Sequence, residues 1–182
     1  MTYKNHNNKF FMICGMSNSG KTEIICRLLK YFNEKNLKIC TVKHAHKNFD
    51  IDHKHKDSWK YRQAGSLETL IVSQTRWALM HETRIDQEKN DLYSLLKHLS
   101  HVDLVLIEGF KKHPFPKIEV RQPNYQGVEL WRQDPTVLAV IGQHQELLAE
   151  RKIKFFSFNE IEKIGQFIMQ HAVFLNEINP KR

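Results

Sequence analysis

Residues 15–22, with the sequence Gly-Met-Ser-Asn-Ser-Gly-Lys-Thr, contain the residue types needed to bind a chain of phosphates. They match the pattern G-x-x-x-x-G-K-[ST] and lie between an apolar run at residues 10–14 and a segment with helical periodicity, as that motif requires. Gly15 and Gly20 let the backbone turn its N–H groups inward, and the following helix adds a dipole end equivalent to about half a charge. The sequence therefore predicts a phosphate-binding loop.

The loop also contains the side chains that such a site needs. Lys21 can reach the β- and γ-phosphates, and the Thr22 hydroxyl can ligate Mg²⁺. A later basic segment adds two further candidate phosphate contacts. The predicted nucleotide-binding residues are Gly15, Ser17, Asn18, Ser19, Gly20, Lys21, Thr22, Lys43 and His44.

A second motif ends the apolar run at residues 102–107, where Glu108 is followed directly by Gly109. Sites of phosphoryl transfer need an acid at the end of such a strand to hold Mg²⁺ or its water. Asp is usual there, so Glu108 is a variant with longer reach. The alternative is a surface glutamate at the end of a strand. We predict Thr22 and Glu108 as metal ligands.

The segment at residues 42–53 is rich in ionisable side chains, and its lack of periodicity predicts a functional loop over residues 43–56. One interpretation places Asp50 or Asp52 near Mg²⁺ or an attacking water. The predicted catalytic residues are then Lys21, Asp52 and Glu108. A second interpretation is a transition-metal site, although no cysteine joins its histidines. Those histidines are His44, His46, His53 and His55; the third interpretation is an ordinary polar loop.

Length and composition narrow the classes of function. A chain of 182 residues predicts one domain over residues 1–175, with a frayed tail at 176–182. The formal net charge of +8 favours anionic partners, but no block of five Lys or Arg residues indicates nucleic acid. No apolar run approaches the roughly 20 residues that span a membrane. Three cysteines without a C-x-x-C pair, and a polar start without room for a signal peptide, predict a cytoplasmic protein.

Strands alternating with helices behind a phosphate loop predict an α/β fold of the P-loop NTPase type, with a mainly parallel twisted sheet flanked by helices. Two strands separated by three residues, at 67–73 and 77–81, predict an added antiparallel hairpin. Asn159 with Glu162 is typical of a capping box for the last helix. The predicted helices cover residues 22–33 and 57–64 and begin near 92 and 161; the other strands cover residues 37–42, 102–107, 118–120, 137–141 and 153–158.

Several segments together resemble one known family, the MobB family of molybdopterin-guanine dinucleotide biosynthesis adapter proteins. The resemblance covers about residues 10–141. A Lys-His-Ala-His segment and a Glu-Gly-Phe-Lys segment behind a phosphate loop are far more specific than the loop by itself. The matching segments are the loop, Val42-Lys43-His44-Ala45-His46, Phe49-Asp50-Ile51-Asp52, Lys56-Asp57-Ser58, Gln63-Ala64-Gly65, Glu108-Gly109-Phe110-Lys111 and Pro116-Lys117-Ile118-Glu119-Val120.

The resemblance implies GTP binding with weak GTPase activity, dependence on Mg²⁺ and a homodimer. It also implies partnership with the MobA-type guanylyltransferase that joins GMP to molybdopterin, and it makes molybdopterin a further candidate ligand. Met16, Asn18 and Glu23 depart from the residues usual in the family, as does the segment at 53–56. Gly20, Lys21 and Thr22 are retained.

Other classes of function stay open at this point. The same loop could serve a small-molecule kinase, with Asp50 or Asp52 as the base, although no Arg-rich lid is visible. A nucleic-acid-binding regulator is a third class. No motif that reads guanine follows the later strands, so spacing does not give the base. Arg62, Arg76 and Arg121 are the candidate arginine fingers; without one, hydrolysis would run at about 10⁻⁴ to 10⁻² per second.

Overall fold

The computed structural model describes residues 7–45, 49–83, 91–122, 129–143 and 153–178. They divide between two compact units, a larger one within Met1–His44 and Ser100–Arg182 and a smaller one within Ala45–Leu99. No helix in these ranges is long and apolar enough to cross a membrane.

Nine strands and five α-helices occur in the described ranges. In chain order they are β1 (Lys9–Cys14), α1 (Lys21–Glu34), β2 (Ile39–Lys43), α2 (Asp57–Gln63), β3 (Glu68–Val72), β4 (Trp77–His81), α3 (Leu92–Leu96), β5 (Leu104–Glu108), β6 (Lys117–Val120), α4 (Leu130–Gln133), β7 (Val137–Ile141), β8 (Lys154–Phe156), α5 (Ile161–His171) and β9 (Val173–Phe174).

The larger unit is built on a sheet with the strand order β2-β5-β1-β6-β7-β8. All neighbours in this order run parallel, and β9 adds an antiparallel pairing at the start of β1. β1 and β5 are buried along almost their whole length, because a parallel strand covered on both faces needs apolar side chains in both directions. Because β1 and β5 run parallel, their carboxyl ends lie at the same edge of the sheet, next to the phosphate loop.

Helices α1 and α5 pack on one face of this sheet. Their apolar stripes, which include Leu28 and Ile164, meet Phe11 and Ile13 of β1 in the main core. The helix predicted over residues 22–33 is confirmed as α1. The phosphate loop joins the end of β1 to the start of α1.

The start of α5 differs from the prediction. The capping box of Asn159 and Glu162 is wrong, because Glu160 occupies the N-cap position and the helix begins at Ile161. The Glu160 carboxylate instead accepts from the Ser157 N–H at 2.9 Å and pairs with Lys163 at 2.7 Å. The four-residue α4 and the two-residue β9 were not predicted, because elements so short show no periodicity.

The smaller unit contains α2, α3 and the hairpin β3–β4. The hairpin is antiparallel in the register Glu68↔His81 to Val72↔Trp77, as predicted. Asp91 caps α3 by accepting from the Ser94 N–H at 3.1 Å. The predicted tail is described as far as Ile178, which is buried, and residues 179–182 lie outside the described part.

Candidate nucleotide-binding site

The loop between β1 and α1 has the backbone conformation of an anion site. Gly15 has φ +142°, and a Cβ at that position would lie 2.3 Å from the Val120 carbonyl oxygen, so a glycine is required. Asn18 and Gly20 are also in the left-handed region, with φ of 60° and 95°. Gly20 is the N-cap of α1 and supplies no side chain to the first helical N–H groups. These groups are thus left for a ligand at the positive end of the helix dipole.

A buried hydroxyl within the loop supports this interpretation. Ser19 is 4% exposed, and its Oγ has no hydrogen-bond partner among the described residues. Leaving a buried hydroxyl unsatisfied costs about 1–3 kcal/mol, so such groups usually have a partner. A phosphate oxygen inside the loop would supply one. The chemistry of the loop thus fits a bound phosphate.

Lys21 lies against the same loop. Its Nζ donates to the Met16 carbonyl at 2.6 Å. Burial lowers the pKa of Lys21, and the nearby Glu108 carboxylate partly opposes this effect. A phosphate could replace the Met16 carbonyl as the acceptor, and its negative charge would oppose the lowering of the Lys21 pKa.

Glu108 is brought to the loop by strand order. β5 lies between β2 and β1, with Glu108 level with Lys43 on one side and Ile13 on the other. The Thr22 Oγ1 is 3.5 Å from both carboxylate oxygens of Glu108, and the Lys43 Nζ is 3.4 Å from one of them. A carboxylate and a hydroxyl are the oxygen donors that Mg²⁺ prefers. Thr22 and Glu108 therefore form a donor pair suited to Mg²⁺.

His44 and Phe110 form a stacked pair beside Glu108. The His44 N–H donates to the Glu108 carbonyl at 2.9 Å, and the two rings lie 4.4 Å apart at 29°. Gly109 has φ +93°, and a Cβ there would be 2.9 Å from the His44 Cβ. Phe110 itself has φ +48°, which is rare for a residue with a side chain. Phe110 was not predicted as a site residue; the Glu-Gly-Phe-Lys segment was its only signal.

The other side of the loop is held by residues that no sequence motif marked. The Gln122 amide donates to the Asn18 carbonyl, and the Phe158 ring packs against Gly20. The Arg27 guanidinium donates to the Phe158 carbonyl at 2.7 Å. The ends of β6 and β8 thus support the phosphate loop.

Asp52 lies in the smaller unit, where Arg62 binds it. The Arg62 guanidinium donates two hydrogen bonds to Asp52, at 2.7 and 3.2 Å, and reaches Asp50 at 2.5 Å and Glu82 at 2.8 Å. Burial of the Asp52 side chain, which is 2% exposed, would raise its pKa, but the hydrogen bonds and charge of Arg62, together with hydrogen bonds to Asp50 and Ser58, outweigh this and lower it. A carboxylate with a lowered pKa accepts protons poorly. The catalytic role of Asp52 stays a prediction, without support from its surroundings.

The histidine segment shows no metal site in the part of the chain that is described. There, no three His, Cys, Asp or Glu side chains come together in a way that could hold a metal ion. His46 lies outside the described residues, and His55 packs against Trp59 at 5.2 Å between ring centroids.

Comparisons with known proteins agree with this geometry. The family model for molybdopterin guanine dinucleotide synthesis protein B, MobB, matches residues 10–143. The molybdopterin-guanine dinucleotide biosynthesis adapter protein of Haemophilus influenzae is 33% identical over 86% of this chain and 85% of its own length. The adapter protein of Escherichia coli is 32% identical over 85% of this chain and 87% of its own length.

The fold agrees with a solved structure as well. A crystal structure of a molybdopterin-guanine biosynthesis protein B has a TM-score of 0.67 and 29% identity, covering 88% of this chain and 97% of the other. The prediction of a mainly parallel, P-loop NTPase-like sheet with an added hairpin is confirmed. The resemblance drawn from the sequence motifs is confirmed too, and the chain belongs to the MobB family.

Proposed function

We propose that this chain is a GTP-binding adapter in molybdopterin guanine dinucleotide biosynthesis that assists a MobA-type guanylyltransferase and hydrolyses GTP slowly. The observation that carries the proposal is the phosphate loop beside the pair formed by Thr22 and Glu108 in a MobB family member. Within the described part of the chain, the buried Ser19 hydroxyl of this loop has no hydrogen-bond partner. The adapter role is supported by the names of the two relatives described above.

Each group at the site has a role in this proposal. The N–H groups of the loop and the Lys21 ammonium hold the phosphates, while Thr22 and Glu108 hold Mg²⁺. When bound, the ion neutralises charge on the phosphate oxygens. Lys43, whose side chain is 63% exposed, supplies positive charge beside Glu108. His44 supplies an aromatic ring there. They are the proposed contacts for a phosphate of GTP or of molybdopterin.

Two of the three candidate arginine fingers are held in ion pairs, which supports slow hydrolysis. Arg62 is held by three carboxylates within the smaller unit. Arg121 pairs with Glu129 at 2.6 Å. An arginine that stabilises the transition state is worth roughly 10³–10⁵ in rate, and neither of these two is free to act without breaking its ion pairs. An adapter that presents its nucleotide to a partner enzyme needs no rapid hydrolysis.

A homodimer is part of the proposal, and one surface of the hairpin favours it. The face that carries Leu70, Val72, Trp77 and Leu79 is apolar, and each of these side chains is more than half exposed. Exposed apolar patches of this kind mark interaction sites. A second copy can cover the patch through the same face, because a two-fold interface is self-complementary. Sedimentation of the wild type and of Trp77→Ser tests this part.

Calorimetry with GTP, ATP and GDP, each with and without Mg²⁺, tests the nucleotide assignment. GTP should bind more tightly than ATP and should need Mg²⁺ for full affinity. Addition of the chain to a guanylyltransferase reaction tests the adapter role, with Lys21→Ala as the matched control. A stoichiometric phosphorylated product from a panel of hydroxyl acceptors would instead establish the kinase alternative.

A further inference from the structure

Lys117 is a buried lysine in the middle of the sheet. It lies on β6, its side chain is 1% exposed, and its Nζ has three acceptors. These are the carbonyls of Lys111 and His113, both at 2.8 Å, and the Asp134 carboxylate at 2.7 Å. An ammonium has three N–H donors, so every one is used. Lysine is almost never fully buried unless paired, and Lys117 meets this condition through Asp134 and the two carbonyls.

The ammonium is anchored to the sheet and to the segment before β7. The Lys117 N–H donates to the Thr136 carbonyl at 2.9 Å, and Thr136 in turn donates to Asp134 through its N–H and its hydroxyl. Burial would raise the pKa of Asp134, but the hydrogen bonds from Lys117 and Thr136, together with the Lys117 charge, outweigh this and lower it. The ion pair is therefore fixed at its sheet end.

The other end of Lys117 holds the turn that follows Glu108. Both carbonyls that it binds belong to residues 110–113, and this turn closes with the His113 N–H donating to the Phe110 carbonyl at 2.9 Å. Phe110 adopts its positive φ inside the turn, a conformation that costs about 1–3 kcal/mol and persists only where the surroundings enforce it. The surroundings of the turn include the hydrogen bonds from Lys117 to the Lys111 and His113 carbonyls.

We propose that Lys117 is a positioning residue for the site. It fixes the turn and, through the Phe110 ring, sets the orientation of His44 beside Glu108. The consequence for Mg²⁺-dependent GTP binding rests on the proposed function, whereas the consequence for His44 does not. A lysine that merely stabilised the fold would affect the melting temperature and neither of these properties.

The test compares Lys117→Met with Glu119→Gln. Glu119 lies two residues along the same strand, is buried, and accepts from the Trp131 N–H at 3.0 Å instead of from the turn. The side-chain oxygen of Gln can accept the same hydrogen bond from the Trp131 N–H, so the amide keeps this contact. The first measurement uses no nucleotide: the NMR shifts of the His44 ring protons report its stacking on Phe110. Lys117→Met should move them toward unstacked values, and Glu119→Gln should not.

The second measurement is the Kd for GTP with Mg²⁺. Lys117→Met should weaken it about 10- to 100-fold, the range typical when a group that supports a metal ligand is removed. In a Phe110→Leu background the same change should have little further effect, because both act through the ring. Independent, additive effects would contradict the proposed route.

Unchanged His44 shifts in folded Lys117→Met would overturn the inference, whatever the nucleotide result. Shifted His44 signals in a protein whose wild type does not bind GTP would uphold the positioning role and refute the proposed function. Should Lys117→Met fail to fold, Lys117→Gln replaces it, because glutamine keeps N–H donors but cannot serve all three acceptors. Unchanged His44 shifts in folded Lys117→Gln would likewise overturn the inference.

Discussion

Replacing Glu108 with Gln should separate a role in metal binding from a role in stability. The carboxylate makes two contacts within the site, to Thr22 at 3.5 Å and to Lys43 at 3.4 Å. The first is longer than the roughly 2.5–3.0 Å of a good O–H···O bond. The second joins a side chain that is 63% exposed, and such pairs contribute about 0–1 kcal/mol. Loss of both should lower the melting temperature by no more than about 4 °C.

The effect on Mg²⁺ should be much larger. An amide oxygen carries no formal charge, so the Thr22 hydroxyl would bind Mg²⁺ without the help of an anionic side chain at position 108. We expect the Mg²⁺ concentration needed for half-maximal GTP affinity to rise about 10- to 100-fold, as when metal-supporting groups are removed elsewhere. Binding of GTP without Mg²⁺ should be nearly unchanged or slightly improved, because a negative charge next to the phosphates is gone.

The assay is a Mg²⁺ titration of GTP binding by calorimetry, with melting curves on the same samples. Asp57→Asn is the matched control, because Asp57 also pairs with a lysine, Lys60, at 3.4 Å on an exposed surface. The control should change neither the titration nor the melting temperature appreciably. An Mg²⁺ titration curve of Glu108→Gln that overlays the wild-type curve would refute the role of Glu108 in metal binding.

Three further predictions concern other groups in the larger unit. Lys21→Ala should weaken GTP binding about 100-fold or more with an unchanged melting curve, since it removes a charged donor to phosphate; an unchanged Kd would show that the loop assignment is wrong. Burial, together with the Glu119 charge, raises the pKa of the Cys14 thiol to about 12. Iodoacetamide at pH 8 should therefore label the exposed Cys26 and leave Cys14 unmodified in the native protein. Mass spectrometry of the digest measures both. The folded-state pKa of Asp134 lies below its ordinary value of 3.8, so its stabilising effect is present above that pH and is lost as the pH falls through the lower folded value. Asp134→Asn should therefore destabilise at neutral pH and lose less stability on acidification below pH 3.8 than the wild type does; parallel curves of unfolding free energy against pH would contradict this.

Much of the site could be predicted because its signals are local. The phosphate loop depends on glycines at set positions between a strand and a helix, and eight consecutive residues carry that information. Helix α1 follows from an apolar stripe, and β5 follows from a continuous apolar run that ends in Glu108. The hairpin β3–β4 likewise follows from two apolar segments and a three-residue gap. In each case the cause lies within a window of about ten residues.

Other features could not be predicted because apolar periodicity does not show which polar and aromatic side chains come into contact. Asp52 has the residue type of a base, yet its carboxylate is bound by Arg62, ten residues later in the chain. The contacts with Arg62 help to lower the pKa of Asp52. The N-cap of α5 is Glu160 and not Asn159, and the Glu160 carboxylate binds both the Ser157 N–H and the Lys163 ammonium. Phe110 gained its place beside His44 through the order of β2 and β5 in the sheet.

The sequence by itself determined that a phosphate loop, an acidic strand end and a basic segment occur in one α/β chain of the MobB family. Only the tertiary structure decided that Thr22 and Lys43 both lie within 3.5 Å of the Glu108 carboxylate, and that the buried Lys117 binds the turn after Glu108. The physical reason is that local periodicity specifies strands and helices, whereas strand order specifies which of their ends meet. That order is set by the burial of both faces of the sheet, which depends on the whole chain at once.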